Sequence, residues 1–180
     1  MSRIGRKAIT IPSGVNVTVN DNVVTVKGPL GELSRKIESK DISVKIEDGH
    51  IQLSRANDDK ETRALHGLYR ALINNMVIGV CKGYQKKLIV NGVGYKCQVT
   101  GNKLVLNIGL SHPVEVDIVK GIKVVCATPT DIEVDGIDKE LVGQFAANIK
   151  AIRPVEPYHN YGIRYADEKV IKKEGKKAAK

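Results

Sequence analysis

The sequence predicts an α+β fold of two tandem duplicated domains, each a small, mostly antiparallel β-sheet covered by one α-helix. Three observations carry this. Valines alternating with polar residues mark half-buried strands, and apolar residues at three- and four-residue steps mark two amphipathic helices. The third is repetition, because the order hairpin, turn, hairpin, helix occurs twice.

The first copy opens with GVNVTVNDNVVTVK, residues 14–27, where alternation on both sides of a short Asn/Asp turn signals a β-hairpin. GPLGE at 28–32 is a turn, and residues 33–37 continue as a strand. A second hairpin joins residues 42–46 and 51–54 through Asp48 and Gly49. The period then changes. Leu65, Leu68, Tyr69, Leu72, Ile73 and Met76 fall on one face of a helix expected over 62–77, with Asn57 or Asp58 to cap its start and Gly79 after its end.

The second copy follows the same grammar. YKCQVTGNKLVLNIGLSHPVEVDI repeats the pattern of VNVTVNDNVVTVKGPLGELSRKI, with Val99 answering Val19, Asn102 answering Asn22 and Leu104 answering Val24. A further hairpin spans 122–127 and 132–134, and a helix spans 139–152 with Val142, Phe145, Ala146, Ile149 and Ile152 as its stripe. The expected boundaries are 1–82 for the first repeat, 83–165 for the second and 166–180 for a basic tail. The composition of that tail is that of a segment disordered alone and folded on a partner.

Charge is distributed unevenly. The net +9 sits mostly at the ends: Arg3, Arg6 and Lys7 at one, and Lys169, Lys172, Lys173, Lys176, Lys177 and Lys180 at the other. No Asp or Glu occurs from Thr62 through Val114. Such a surface suits a polyanion such as nucleic acid. No apolar run reaches the length needed to span a bilayer, and the N-terminus lacks the apolar block of a secretory signal, so a cytoplasmic protein is expected. Cys81, Cys97 and Cys126 are widely spaced and read as small buried hydrophobes. No phosphate loop, nucleophile elbow or metal-ligand spacing is present, so no catalytic residue, metal, cofactor, membrane or small-molecule substrate is expected.

The most distinctive stretch is RPVEPYHNYGIRY, residues 153–165, present in the second copy and missing from the first. Its prolines and glycine suggest a stiffened extended loop. Aromatic rings between guanidinium groups suit base stacking and phosphate binding, although the tyrosines read equally well as packing residues. A protein-interaction scaffold with acidic first-domain edges, or an RNA-processing enzyme assembled across the domains, are the rival readings of these residues.

Six segments in order, MSRIGRKAITIPSGV, VKGPLGEL, TRALHGLYRALINNMVIGV, GVGYKCQVTGNKLVLNIGLSHPV, GIDKELVGQFAANIKAIRP and EPYHNYGIRY, resemble the L-six family of bacterial large-subunit ribosomal proteins. The resemblance implies a non-enzymatic structural protein that binds large-subunit rRNA mainly through its second domain and C-terminal extension. It also implies a position by the sarcin-ricin loop near the base of the factor-binding stalk, among neighbouring large-subunit proteins. Arg153, Arg164, Lys172, Lys173, Lys176 and Lys177 would then neutralise phosphates, with Tyr158, His159, Tyr161 and Gly162 in the loop between them. Lys86, Lys87, Ser111 and His112 are weaker candidates. The chain departs from the family pattern, which has a proline where Val155 stands and Lys-Gly-Lys-Gly where His159, Asn160, Tyr161 and Gly162 stand. Two loop lysines are thus missing, and stacking by Tyr161 with a hydrogen bond from His159 is the expected substitute.

Overall fold

The computed structural model describes residues 3–47 and 49–175. Asp48, read as half of a turn, and Lys176, Lys177 and Lys180 of the tail lie outside the described residues. The chain divides into two compact units, Met1–Gly83 with Ile137–Lys139, and Tyr84–Gly136 with Glu140–Lys180. Both are α+β, and each has its own aliphatic core.

In the first unit the strands are β1 (Ile9–Thr10), β2 (Asn16–Asn20), β3 (Val23–Gly28), β4 (Gly31–Lys36), β5 (Ile42–Glu47) and β6 (His50–Arg55). They form two antiparallel three-stranded sheets, ordered β2-β3-β4 and β1-β6-β5. The helix α1 (Lys60–Lys82) lays Tyr69, Ile73, Met76, Val77 and Val80 against Val24, Val26, Ile42 and Ile51. Two expectations about α1 are corrected. Its N-cap is Asp59, whose side chain makes no capping bond, while Asp58 pairs with Arg55. Gly79 does not end the helix: it is buried within it, and the helix is broken at Gly83 with φ +74°. His66 is also buried on α1, with Nε2 donating to the Leu53 carbonyl at 3.0 Å.

The second unit contains β7 (Tyr84–Asn91), β8 (Lys96–Thr100), β9 (Lys103–Asn107), β10 (Val114–Asp117), β11 (Ile122–Thr128), β12 (Asp131–Gly136), α2 (Lys139–Ile152) and β13 (Gly162–Tyr165). Its sheets are ordered β10-β9-β8 and β11-β12-β7-β13. The apolar stripe of α2, Val142, Phe145, Ala146 and Ile149, is buried with Leu88, Val90, Leu104, Leu106, Ile132, Val134 and Ile163. Cys97 is buried in this core, where desolvation pushes its thiol up to about 12, while Cys81 and Cys126 are half-buried.

The duplication extends to individual bonds. Val19 faces Val24 across the first hairpin, and Val99 faces Leu104 across its counterpart. The Ile37 N–H donates to the Asn22 carbonyl at 2.7 Å, and the Ile118 N–H donates to the Asn102 carbonyl at 2.9 Å. Asp21 and Asn22 both have positive φ, the backbone of a two-residue hairpin turn that matches strand twist.

Three strands were not anticipated: β1, β7 and β13. β7 pairs with β12 on one side and β13 on the other, so it is the interior strand joining the helix-covered sheet to the C-terminal segment. β13 corrects the reading of residues 153–165 as loop throughout, since its last four residues pair antiparallel with residues 88–91. The pairing partner lies some seventy positions earlier, a separation over which local sequence preference carries no information.

Candidate nucleic-acid interface

The turn between α2 and β13 is built around one acid. The Glu156 carboxylate accepts the backbone N–H of Tyr158 at 3.0 Å, of His159 at 2.6 Å and of Tyr161 at 3.4 Å. The Glu156 N–H donates in turn to the Tyr161 carbonyl at 3.0 Å, closing the loop on itself. Desolvation pushes the Glu156 carboxyl up, but the three N–H donors and the nearby His159 outweigh it and hold the group below its usual value.

The base of the loop is held by backbone. The Ile163 N–H donates to the Arg153 carbonyl at 2.8 Å, and Asn91 Nδ2 donates to the Asn160 carbonyl at 2.9 Å. Gly162 is buried, with φ +137°, and a Cβ there would lie 2.6 Å from the Pro154 carbonyl oxygen. Only glycine allows the two chain segments to pass this closely. Gly162 therefore sets the path of the loop through its backbone.

Three rings stand in a row on this frame. His159 stacks on Tyr161 with centroids 5.5 Å apart and planes 24° apart, and Tyr161 meets Tyr95 at 6.5 Å and 51°. Tyr95 is half-buried against the second core, and its ring lies over Gly92 and beside Gly109. The His159 side chain is 72% exposed, and Tyr158 is exposed next to it. Tyr165 differs: Lys150 Nζ lies 4.9 Å and Lys86 Nζ 5.4 Å from its ring centroid, so it is enclosed by cations of the same unit.

The basic candidates separate into committed and available groups. Lys87 Nζ lies 2.6 Å from Glu133 Oε1, its direct cross-strand partner, and that hydrogen bond holds the ammonium above the usual lysine range. Lys86 lies 3.9 Å from Asp167 as well as over Tyr165. Arg164 Nη1 donates at 3.4 Å to the carbonyls of Tyr165 and Glu168. By contrast, Arg153, Lys172 and Lys173 form no ion pair with an acid among the described residues, and both lysines are exposed.

The tail is attached rather than free over its described part. The Lys173 N–H donates to the Pro157 carbonyl at 2.8 Å, which brings Lys172 and Lys173 beside the loop. Before it, Glu168 anchors the path: it accepts Lys150 Nζ at 2.6 and 2.7 Å and the Tyr165 N–H at 3.1 Å. The Lys150 bond is the main reason the Glu168 carboxyl lies below its usual value. The Ser111 Oγ and His112 Nδ1 are 3.2 Å apart on an exposed turn. That turn approaches the ring row through Gly109, two residues before Ser111, at Tyr95.

Sequence reasoning missed two contributors. Tyr95 is legible only as the end of GVGY, whose first glycine, Gly92, leaves the space for its ring. Glu156 is the one acid among residues 153–165, and that isolation is the available signal for an internal anchor. Among the described residues, no helix is long and apolar enough to cross a membrane.

The family model described as Ribosomal protein L6 matches residues 11–83 and 91–166, one span in each unit. A protein from Fusobacterium nucleatum named large ribosomal subunit protein uL6 is 53% identical over 178 residues, covering 99% of this chain and 100% of that one. Proteins of the same name from Streptococcus gordonii and Listeria monocytogenes are each 54% identical over 176 residues, covering 98% of both chains. With two matched spans and relatives of this identity along nearly its whole length, the chain belongs to the ribosomal protein L6 family.

Proposed function

We propose that this chain is a structural constituent of the large ribosomal subunit in the cytoplasm, without enzymatic activity, that binds large-subunit rRNA near the sarcin-ricin loop and the stalk base. There it would support subunit assembly and translation beside neighbouring large-subunit proteins. The location rests on the family resemblance, and the binding mode rests on the geometry. The observation that carries the mode is the Lys173–Pro157 bond, which joins the available tail lysines to the loop holding Arg153, Tyr158, His159 and Tyr161.

The chemistry is positional. Arg153, Lys172 and Lys173, extended by Lys176 and Lys177, neutralise phosphates and release condensed counterions. Arg164, Lys86 and Lys87 stabilise the second unit's own strands and contribute less. A rigid loop with few groups suited to base edges reads RNA by shape and backbone.

The test is co-sedimentation of the tagged chain with large subunits, combined with chemical probing of the rRNA. Stoichiometric association that resists moderate salt, with protection of the sarcin-ricin region, is expected. Loss of association at moderate salt, or protection elsewhere only, overturns the proposal.

A further inference from the structure

We infer that the outward face of His159, backed by Tyr161 and Tyr95, is a stacking shelf for one unpaired nucleobase of the bound RNA. The inference deepens the RNA-binding reading and rests on it.

The shelf is assembled before any partner arrives. Tyr95 is half-buried, with its ring over Gly92. Tyr161 is fixed through both backbone groups, its N–H at 3.4 Å from Glu156 Oε1 and its carbonyl accepting the Glu156 N–H at 3.0 Å. His159 is held by its N–H on Glu156, and its Nδ1 lies 3.5 Å from the same carboxylate. One backbone bond and one side-chain contact thus orient a ring that is still 72% exposed. A surface aromatic ordinarily loses rotamer freedom when it is covered, and here that cost has been met in the fold.

Stacked rings with one open face accept any base, because every base has a π-face. Unpaired bases are the part of RNA that can reach such a surface, since a base within a helix is already stacked on both sides. The surrounding charge favours a nucleotide over an apolar side chain. Lys172 and Lys173 sit by Pro157, two residues from His159, where they can meet the phosphates flanking the stacked base. Tyr165, enclosed by Lys86 and Lys150, offers no such face.

The experiment uses the full chain and two RNA hairpins of identical stem, one fully paired and one with a single bulged 2-aminopurine. Anisotropy reads affinity and 2-aminopurine fluorescence reads stacking. The chain is expected to prefer the bulged hairpin about fivefold or more and to quench its fluorescence. His159→Ala should abolish both the preference for the bulged hairpin and the quenching, and His159→Phe should retain them. Because the side chain is exposed, circular dichroism should be the same for all three proteins. Equal affinity for the two hairpins, or quenching that survives His159→Ala, overturns the shelf and leaves RNA binding standing. Absence of binding to either hairpin overturns the RNA-binding reading and the shelf together.

Discussion

Glu156 Oε1 accepts the backbone N–H of His159 at 2.6 Å, and this carboxylate is the centre on which the loop from Arg153 to Tyr165 is folded. Its replacement leaves the N–H groups of Tyr158, His159 and Tyr161 without their acceptor. Glu156→Ala is therefore expected to speed amide exchange at His159 and Tyr161 and to weaken RNA binding, with the core strands unaffected. The folded carboxyl titrates below its unfolded value, so its contribution is fully present above the usual carboxylate range and is lost as pH falls through the lower, folded value. Amide exchange followed from pH 7 downward should show the loop intact through the ordinary glutamate range, opening only below it. Opening well above that range would contradict the assignment.

Gly162→Ala introduces two conflicts at once. The backbone there has φ +137°, and the new Cβ would approach Pro154 and Val155 backbone atoms that cannot move aside like a side-chain tip. A loss of about 2 kcal/mol or more is expected. Thermal denaturation should show a lower midpoint, and an unchanged midpoint would mean that the approach of the two segments is not maintained in solution.

Phe145 is the largest apolar side chain on the buried stripe of α2. Phe145→Ala is expected to cost about 3–5 kcal/mol through lost burial and a residual cavity. Since each unit has a separate core, hydrogen exchange should show lost protection in β7 to β12 with protection retained in β2 to β6. Uniform loss across both units would argue against two autonomous cores.

Much of this fold was legible locally. The Val19–Val24 hairpin, its Val99–Leu104 counterpart and the stripes of α1 and α2 each declare themselves within a window of about fifteen residues. β7 and β13 did not, because each is defined by a distant partner. YQKKLIVN mixes exposed lysines with buried Leu88 and Val90, and GIRY is hidden behind prolines that suggest loop. The site was half legible. Composition identified the loop and tail as basic and aromatic, yet it could not tell Lys87, tied to Glu133, from Lys173, which presents its charge beside Pro157. Nor could it show that cutting the chain at residue 166 would remove Glu168 from Lys150 and the Tyr165 N–H, so a tail deletion should begin after Glu168.

The division of the cations into committed and available groups is the central claim, and salt dependence tests it most directly. The affinity of the full chain for a large-subunit rRNA fragment carrying the sarcin-ricin loop should fall linearly with salt on logarithmic axes. Lys172→Ala and Lys173→Ala should each reduce that slope by about 0.7–0.9, His159→Lys with Tyr161→Lys should steepen it, and Lys87→Ala should leave it nearly unchanged. A slope indifferent to Lys172 and Lys173, or reduced as much by Lys87→Ala, would contradict the account.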